Sequence, residues 1–320
     1  MKNKNLAIAI PTYNRAEILK ENILLMLHDI RIYSIPIYIS DDSTNDQTER
    51  IIDDLIKEYE YIYYTKNSMS LGHDQNCIRT LNLPSEEYVW YLGDSIIIKP
   101  LAIKKILDEI NKTKYDFISV NGDNRDLAIK NKLYTDGREL MTDLCWHLTM
   151  TGATIYSQKA IKKSTNFEVE KFKNFPQTAV IFKNFAEGQN ILCWINEKLI
   201  EGNKNKQSYW IQNVFEVFLY DWFNFINNLP EYYNKVKFET IRSHSKNTGL
   251  FSISNFIFFR LIGIYDLKTY NKYSKFLKKC CNINIPLVIL ISVTPKSFIK
   301  KIKKLLNAVK ISKKTINESH

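Results

Sequence analysis

The sequence predicts an α/β fold: one twisted, mostly parallel sheet flanked by helices, followed by a helical, basic C-terminal extension. Three observations lead there. Short apolar runs at 6–10, 36–40 and 88–92 recur through the first hundred residues with longer helical segments between them, as parallel strands joined by right-handed crossovers require. Each run leads at once into a polar turn: Pro11-Thr12-Tyr13-Asn14-Arg15, then Asp41-Asp42-Ser43-Thr44-Asn45-Asp46, then Gly93-Asp94-Ser95. Ligands of such sheets bind beyond the carboxyl ends of the strands, so the three turns are expected on one edge around one ligand. Finally, thirteen lysines and no acidic residue lie between Leu267 and Asn317.

Each element has its own justification. Ile18, Leu19, Ile23, Leu24, Met26 and Leu27 recur at helical spacing and predict a helix over about 15–29. Asp46 and Glu49 form a capping box for a second helix whose apolar face is Ile51, Ile52, Leu55 and Ile56. Residues 61–65 read as a strand, 70–81 as a short helix, and 100–110 as a helix opened by Pro100. Residues 115–120 read as a further strand. Beyond Asn121 the rhythm loosens: 154–156, 190–194 and 197–200 are strand candidates, and 175–186, 209–225 and 231–244 are helix candidates.

Composition narrows the function. The thirteen C-terminal lysines exceed the whole formal net charge of +11, so the rest of the chain is close to neutral. The basicity belongs to a tail, no nucleic-acid-binding module is recognisable, and nucleic acid is not an expected partner. Five cysteines, Cys77, Cys145, Cys193, Cys280 and Cys281, contain no C-x-x-C pair, which fits a reducing cytoplasm better than a disulfide framework or a zinc site. The apolar run behind the N-terminus is too short for a signal-peptide core. The longest near the C-terminus, 285–293, is about half a bilayer span.

The order of these turns resembles the family-two glycosyltransferases of the GT-A, Rossmann-like fold, in particular an abequosyltransferase-like subgroup of bacterial surface-polysaccharide enzymes. The shared features are Ile10-Pro11-Thr12-Tyr13-Asn14-Arg15, the Ile39-Ser40-Asp41 turn, Asn67 and Leu71-Gly72 before a helix, and Tyr88, Trp90 and Gly93 before Asp94. The resemblance covers about 5–110 well and 150–250 loosely. It implies a nucleotide-sugar donor held by Pro11, Thr12, Tyr13, Arg15, Asp41, Asp42, Asn67, Gly72, Asn76, Gly93, Asp94 and Ser95. Asp42 is the choice for the nucleobase edge, since a base offers an N–H to a carboxylate; Asp41 orients the turn or shares the contact. Tyr13 would pack on the base. Gly72 allows close backbone approach to ribose and diphosphate.

Two departures qualify the resemblance. The family has a D-x-D that binds Mg²⁺ or Mn²⁺ at the donor diphosphate; here Asp94 remains and Ile96 stands at the third position. Either Asp94 holds the metal weakly or a cation such as Arg79 or Lys99 takes its role. Inverting members carry a carboxylate base in the region of 174–178, where this chain has Gln177. Glutamine positions a hydroxyl but accepts no proton at neutral pH, and the catalytic base is left unassigned.

The resulting expectation is a transferase moving a sugar to a hydroxyl of a lipid-linked glycan, with 1–120 as the donor half, 121–250 as the acceptor half and 251–320 as a membrane-association tail. Lys-rich amphipathic helices favour anionic bilayers, so the enzyme is placed in the cytoplasm on the inner face of the membrane. The rival reading, from another class, is an inactive relative that binds a sugar nucleotide or acts as a membrane scaffold.

Overall fold

Leu6, Ile8 and Ile10 lie on one face of the first strand and Ala7 and Ala9 on the other, all of them buried. The strand is therefore central, with helices on both sides. The structure, a computed structural model, describes residues 1–123, 125–164, 167–205 and 209–300. The chain divides into two units, Met1–Ser208 with Asn224–Thr240, and Tyr209–Phe223 with Ile241–His320.

The first unit runs β1 (Leu6–Thr12), α1 (Ala16–Ile32), β2 (Ile37–Asp41), α2 (Gln47–Glu58), β3 (Ile62–Lys66), α3 (His73–Leu81), β4 (Tyr88–Tyr91), β5 (Ile96–Ile98), α4 (Ala102–Lys112), β6 (Phe117–Gly122), β7 (Lys132–Tyr134), α5 (Gly137–Leu148), β8 (Thr154–Ser157), α6 (Gln158–Lys163), α7 (Pro176–Glu187) and β9 (Leu192–Gly202). Among the described residues the strands form one sheet in the order β3-β2-β1-β4-β8-β6-β9-β5, with β7 beside β9. It is parallel through β3-β2-β1-β4 and again between β6 and β9. Leu19, Ile23 and Ile30 of α1, Leu55 of α2 and Ile103 and Ile106 of α4 pack with Ile8, Ile10, Ile37 and Ile39 in one core. Each such fully buried side chain contributes about 2 kcal/mol. The small Ala7 and Ala9 leave room for α3, which packs on β1 and β2.

The first unit departs from the expected pattern in four places. β8 enters antiparallel between β4 and β6, a long-range pairing that local periodicity does not encode. β5 and β7, three residues each, are too short to carry a period. The two strands expected at 190–194 and 197–200 are one, β9, which runs through Asn196 and Glu197 by a register shift against β6. Asp46 precedes α2 but makes no side-chain cap bond. Lys66 draws in both Asp46 and Glu49 instead and holds the Asp46 carboxyl below its usual range.

The second unit is helical. α8 (Trp222–Asn228) and α9 (Asn234–Thr248) cross the division between units, and α10 (Ile253–Ile262), α11 (Leu267–Cys280) and α12 (Ile285–Val293) follow. The single helix expected over 209–225 is a 3₁₀ turn at Tyr209–Ile211, then a π-helical turn at Glu216–Asp221 leading into α8. Ser252, Asp266 and Asn284 cap α10, α11 and α12 through side-chain bonds. The helices close around Phe215, which stacks on Tyr265 at 5.4 Å and Tyr273 at 5.9 Å. Among the described residues no helix is long and apolar enough to cross a membrane. The part of the basic tail at 301–320 lies outside the described residues. All five cysteines are free and buried.

Candidate functional site

Thr12 of β1 pairs in register with Asp41 of β2, and Asp41 with Lys66 of β3, so the three strands end level. The three polar turns follow on that edge. Asn14 adopts φ 52°, a left-handed turn that Asn tolerates. Its side-chain oxygen accepts Thr44 N–H at 3.1 Å and Asn45 Nδ2 at 2.9 Å, while its own N–H donates to Ser43 Oγ at 2.8 Å. The first two turns are thus tied into one rim, on which Tyr13 remains 51 % exposed.

The second turn is anchored from below. Asp41 is fully buried; its Oδ1 accepts Ser43 N–H at 2.9 Å and its Oδ2 the Tyr64 hydroxyl at 2.8 Å. Asp41 therefore orients the turn. Asp42 has four donors around its carboxylate: Asn67 Nδ2 at 2.7 Å and Leu71 N–H at 2.7 Å on Oδ1, Ser70 Oγ at 2.8 Å and Gly72 N–H at 2.9 Å on Oδ2. It holds the 67–72 loop against the strand ends. Asn76, beneath that loop, accepts from Asn67 Nδ2 at 3.1 Å and from Ser40 Oγ at 2.7 Å. Gly72 has φ 79°, and open space surrounds the position of a Cβ. Asn67 is 9 % exposed, and its side-chain oxygen is buried without a hydrogen-bond partner. Water or a bound ligand can supply the missing donor.

The third turn brings Asp94 to the first. Arg15 Nη1 lies 3.1 Å from Asp94 Oδ1, and the Thr12 hydroxyl donates to Asp94 Oδ2 at 3.3 Å. Asn22, on the buried face of α1, donates to the Asp94 carbonyl at 2.6 Å and accepts Asn203 Nδ2 at 2.7 Å. Asn203 N–H reaches back to the Ser95 carbonyl at 2.9 Å. Gly93 passes so close to Thr151 that a Cβ would stand 2.7 Å from its hydroxyl oxygen. Asn14, Asn22, Tyr64, Thr151 and Asn203 stand outside the expected set of site residues. Two of them leave a trace in the sequence: Asn14 belongs to the first turn's motif, and Asn22 is a polar residue within the apolar stripe of its helix.

Gln177 opens the first turn of α7 and is 3 % exposed. Its Nε2 donates to the Thr149 carbonyl at 3.3 Å, and its Oε1 is buried without a hydrogen-bond partner. His73 and Asp74 face each other: Nδ1 is 2.7 Å from Oδ1, which also accepts Asn174 N–H at 2.9 Å. Glu170 accepts Gln75 Nε2 at 2.8 Å and Glu168 pairs with Lys171. Trp146, Trp194 and Trp222 are buried in the core, where their rings cannot stack on a sugar.

A divalent cation is implied by the fold family, and the residues present do not suit one. Both carboxylate oxygens of Asp94 are engaged by Arg15 and Thr12. Ile96 is 6 % exposed and belongs to the apolar core. Among the described residues no group of three or more His, Cys, Asp or Glu could hold a metal ion. The two cations expected as substitutes are elsewhere: Lys99 pairs with Asp123 at 2.6 Å, and Arg79 is exposed in the last turn of α3. Among the described residues, Arg15 is a cation paired with Asp94.

Residues 7–174 match the profile described as Glycosyl transferase family 2. Abequosyltransferase RfbV of Salmonella typhimurium is 25 % identical over 255 residues, covering 72 % of this chain and 76 % of the relative. The GalNAc(5)-diNAcBac-PP-undecaprenol beta-1,3-glucosyltransferase of Campylobacter jejuni is 25 % identical over 108 residues, 33 % of this chain and 35 % of the relative. The crystal structure of S. aureus TarS 1-349 in complex with UDP-GlcNAc superposes with a TM-score of 0.58 at 14 % identity, covering 85 % of this chain and 79 % of that one. This last likeness bears on the fold.

Proposed function

The chain belongs to glycosyl transferase family 2, and from that premise we propose that it moves one sugar from a nucleotide-sugar donor to a hydroxyl of a lipid-linked glycan during bacterial surface-polysaccharide synthesis. The carrying observation is the convergence of the three strand-end turns on one rim, with the orphan Asn67 oxygen inside it. The nucleoside lies along 67–72: Asn67 Oδ1 accepts a base or ribose donor, Asp42 holds the loop in place, and the exposed Tyr13 covers the base. Asp94, Arg15, Gly93 and Ser95 stand at the diphosphate.

In the transfer, the acceptor hydroxyl oxygen bonds to the anomeric carbon and the carbon–oxygen bond to the diphosphate breaks, with inversion. Gln177 Oε1 orients a hydroxyl, and its proton passes to a base outside 174–178, a segment without a carboxylate. Residues 1–120 serve the donor and 121–250 the acceptor.

A lipid-linked acceptor is supported by the undecaprenol in the name of the Campylobacter relative and by the second unit's surface. Leu287, Leu290, Val293 and Phe298 are exposed there, with Lys296 and Lys300 close in sequence. Apolar side chains edged by lysine suit an anionic bilayer surface. The protein thus works from the cytoplasm, peripherally on the inner face of the membrane. Thermal shift with UDP, GDP, dTDP and CDP tests the donor site: one nucleotide should stabilise the protein selectively, and no shift with any would remove the reading.

A further inference from the structure

When the sugar is transferred, the nucleoside diphosphate leaves as an anion, and some cation must meet the charge that develops on it. In this chain the residues around the expected metal position form an ion pair instead. Asp94 Oδ1 lies 3.1 Å from Arg15 Nη1, its Oδ2 accepts the Thr12 hydroxyl at 3.3 Å, and its carbonyl accepts Asn22 Nδ2 at 2.6 Å. The second carboxylate of the usual pair is Ile96. Its side chain is fixed in apolar contact: a Cβ on Gly152 would stand 3.0 Å from Ile96 Cγ2. A divalent ion entering beside Asp94 would meet one occupied carboxylate, a hydrocarbon wall and a like-charged guanidinium.

We propose that the Arg15 guanidinium supplies the positive charge at the donor diphosphate and that this transferase works without a divalent cation. This rests on the strand-end rim being the donor site. Asp94 is then a positioning residue, aiming Arg15 rather than ligating metal. Arg15 is well placed for this, because its side chain is 22 % exposed and so is held by protein yet reachable from the rim. A guanidinium has five N–H donors in a rigid fork that matches phosphate oxygens and stays charged at every working pH. The bond changes are those of the family reaction. The hydroxyl oxygen joins the anomeric carbon, the electron pair of the breaking bond moves to the terminal phosphate oxygen, and the hydroxyl proton goes to the base. Arg15 N–H groups hydrogen-bond the oxygen that gains the charge.

The test is calorimetric titration of the full-length chain with UDP, GDP, dTDP and CDP, in EDTA and in Mn²⁺, beside Arg15→Gln and Arg15→Lys. The preferred nucleotide should bind with affinities within about twofold in the two buffers. Loss of one charge-assisted contact should weaken it about tenfold or more in Arg15→Gln, with partial recovery in Arg15→Lys and no rescue by Mn²⁺. Wild-type binding that Mn²⁺ strengthens tenfold, or that EDTA abolishes, overturns the metal-free proposal and leaves the donor site standing. Binding in neither buffer overturns the donor site and this proposal together. The wild-type comparison decides the matter even if a variant fails to fold.

Discussion

The Asp42 carboxylate receives the Gly72 amide at 2.9 Å across 30 residues of chain, so the second strand-end turn and the loop before α3 are one structure. Reading the sequence alone, one expects Asp42→Ala to weaken nucleotide binding and leave the fold intact. The four donors on that carboxylate revise this. Asp42→Ala should cost about 3 kcal/mol, since it strands two backbone N–H groups as well as two side chains, and it should abolish nucleotide binding. Urea unfolding measures the first; a loss under about 0.5 kcal/mol would mean the loop is held by something else.

Ile96→Asp restores the family's missing carboxylate on paper. In this structure it would bury a carboxyl in the apolar core beside Gly152. A destabilisation of about 2–4 kcal/mol at pH 8 is expected. Burial raises the new group's pKa above its unfolded value of about 3.9, so the penalty should shrink toward pH 4, where the folded form carries the proton and the unfolded form begins to. Unfolding at the two pH values checks it, and equal losses would show that residue 96 reaches water.

His147 is fully buried, its Nε2 2.9 Å from the Val120 carbonyl. Burial foremost, with the charge of Arg125 behind it, pulls its pKa down to about 3. The unfolded chain then binds a proton that the folded chain refuses between about pH 6.5 and 3. The resulting stability is complete above about pH 6.5 and declines as pH falls, by at most about 1.4 kcal/mol per pH unit. His147→Gln, which keeps a donor for Val120, should flatten the slope of unfolding free energy between pH 6.5 and 4.5. An unchanged slope would assign the acid sensitivity to other groups.

Truncation from Lys268 onward would be a natural way to test membrane association, but α11 buries Tyr273, Leu277 and Cys280, so such a cut removes core. Leu290→Glu combined with Phe298→Glu changes side chains that are 58 % and 57 % exposed. The double variant should keep wild-type thermal stability and lose about thirtyfold in binding to anionic vesicles, each charge costing on the order of 1 kcal/mol near such a surface. Flotation assays report this directly; undiminished binding would place the contact elsewhere.

The parallel half of the sheet and its polar rim were legible because both are local: an apolar run, then a turn, at regular spacing. Arg15, Asp41, Asp42, Asn67, Gly72 and Asp94 stand where that pattern puts them. What escapes is non-local. The antiparallel insertion of β8 and the bridges from Asn14 to Ser43 and from Asn22 to Asn203 depend on which segments meet, and no period announces that. The sequence suggests Arg79 or Lys99 as the cation at Asp94, although Arg15 is itself a motif residue; only distance separates one role from the other. The capping box at Asp46 misleads for the opposite reason, since Lys66, 20 residues away, displaces a purely local bond.

The burial of every cysteine gives this protein an unplanned convenience for spectroscopy. Burial pushes the Cys193 thiol up to about 11 and those of Cys77 and Cys281 to about 12, and Cys145 and Cys280 are raised as well. Thiolate is the species that reacts with maleimides and iodoacetamides, so the native chain is close to silent toward such dyes. A single cysteine introduced on the surface would be the one fast-labelling position, with no background to strip out by mutagenesis. A second introduced cysteine, so that each unit carries one dye, would then let the pair read the distance between the two units as nucleotide is added.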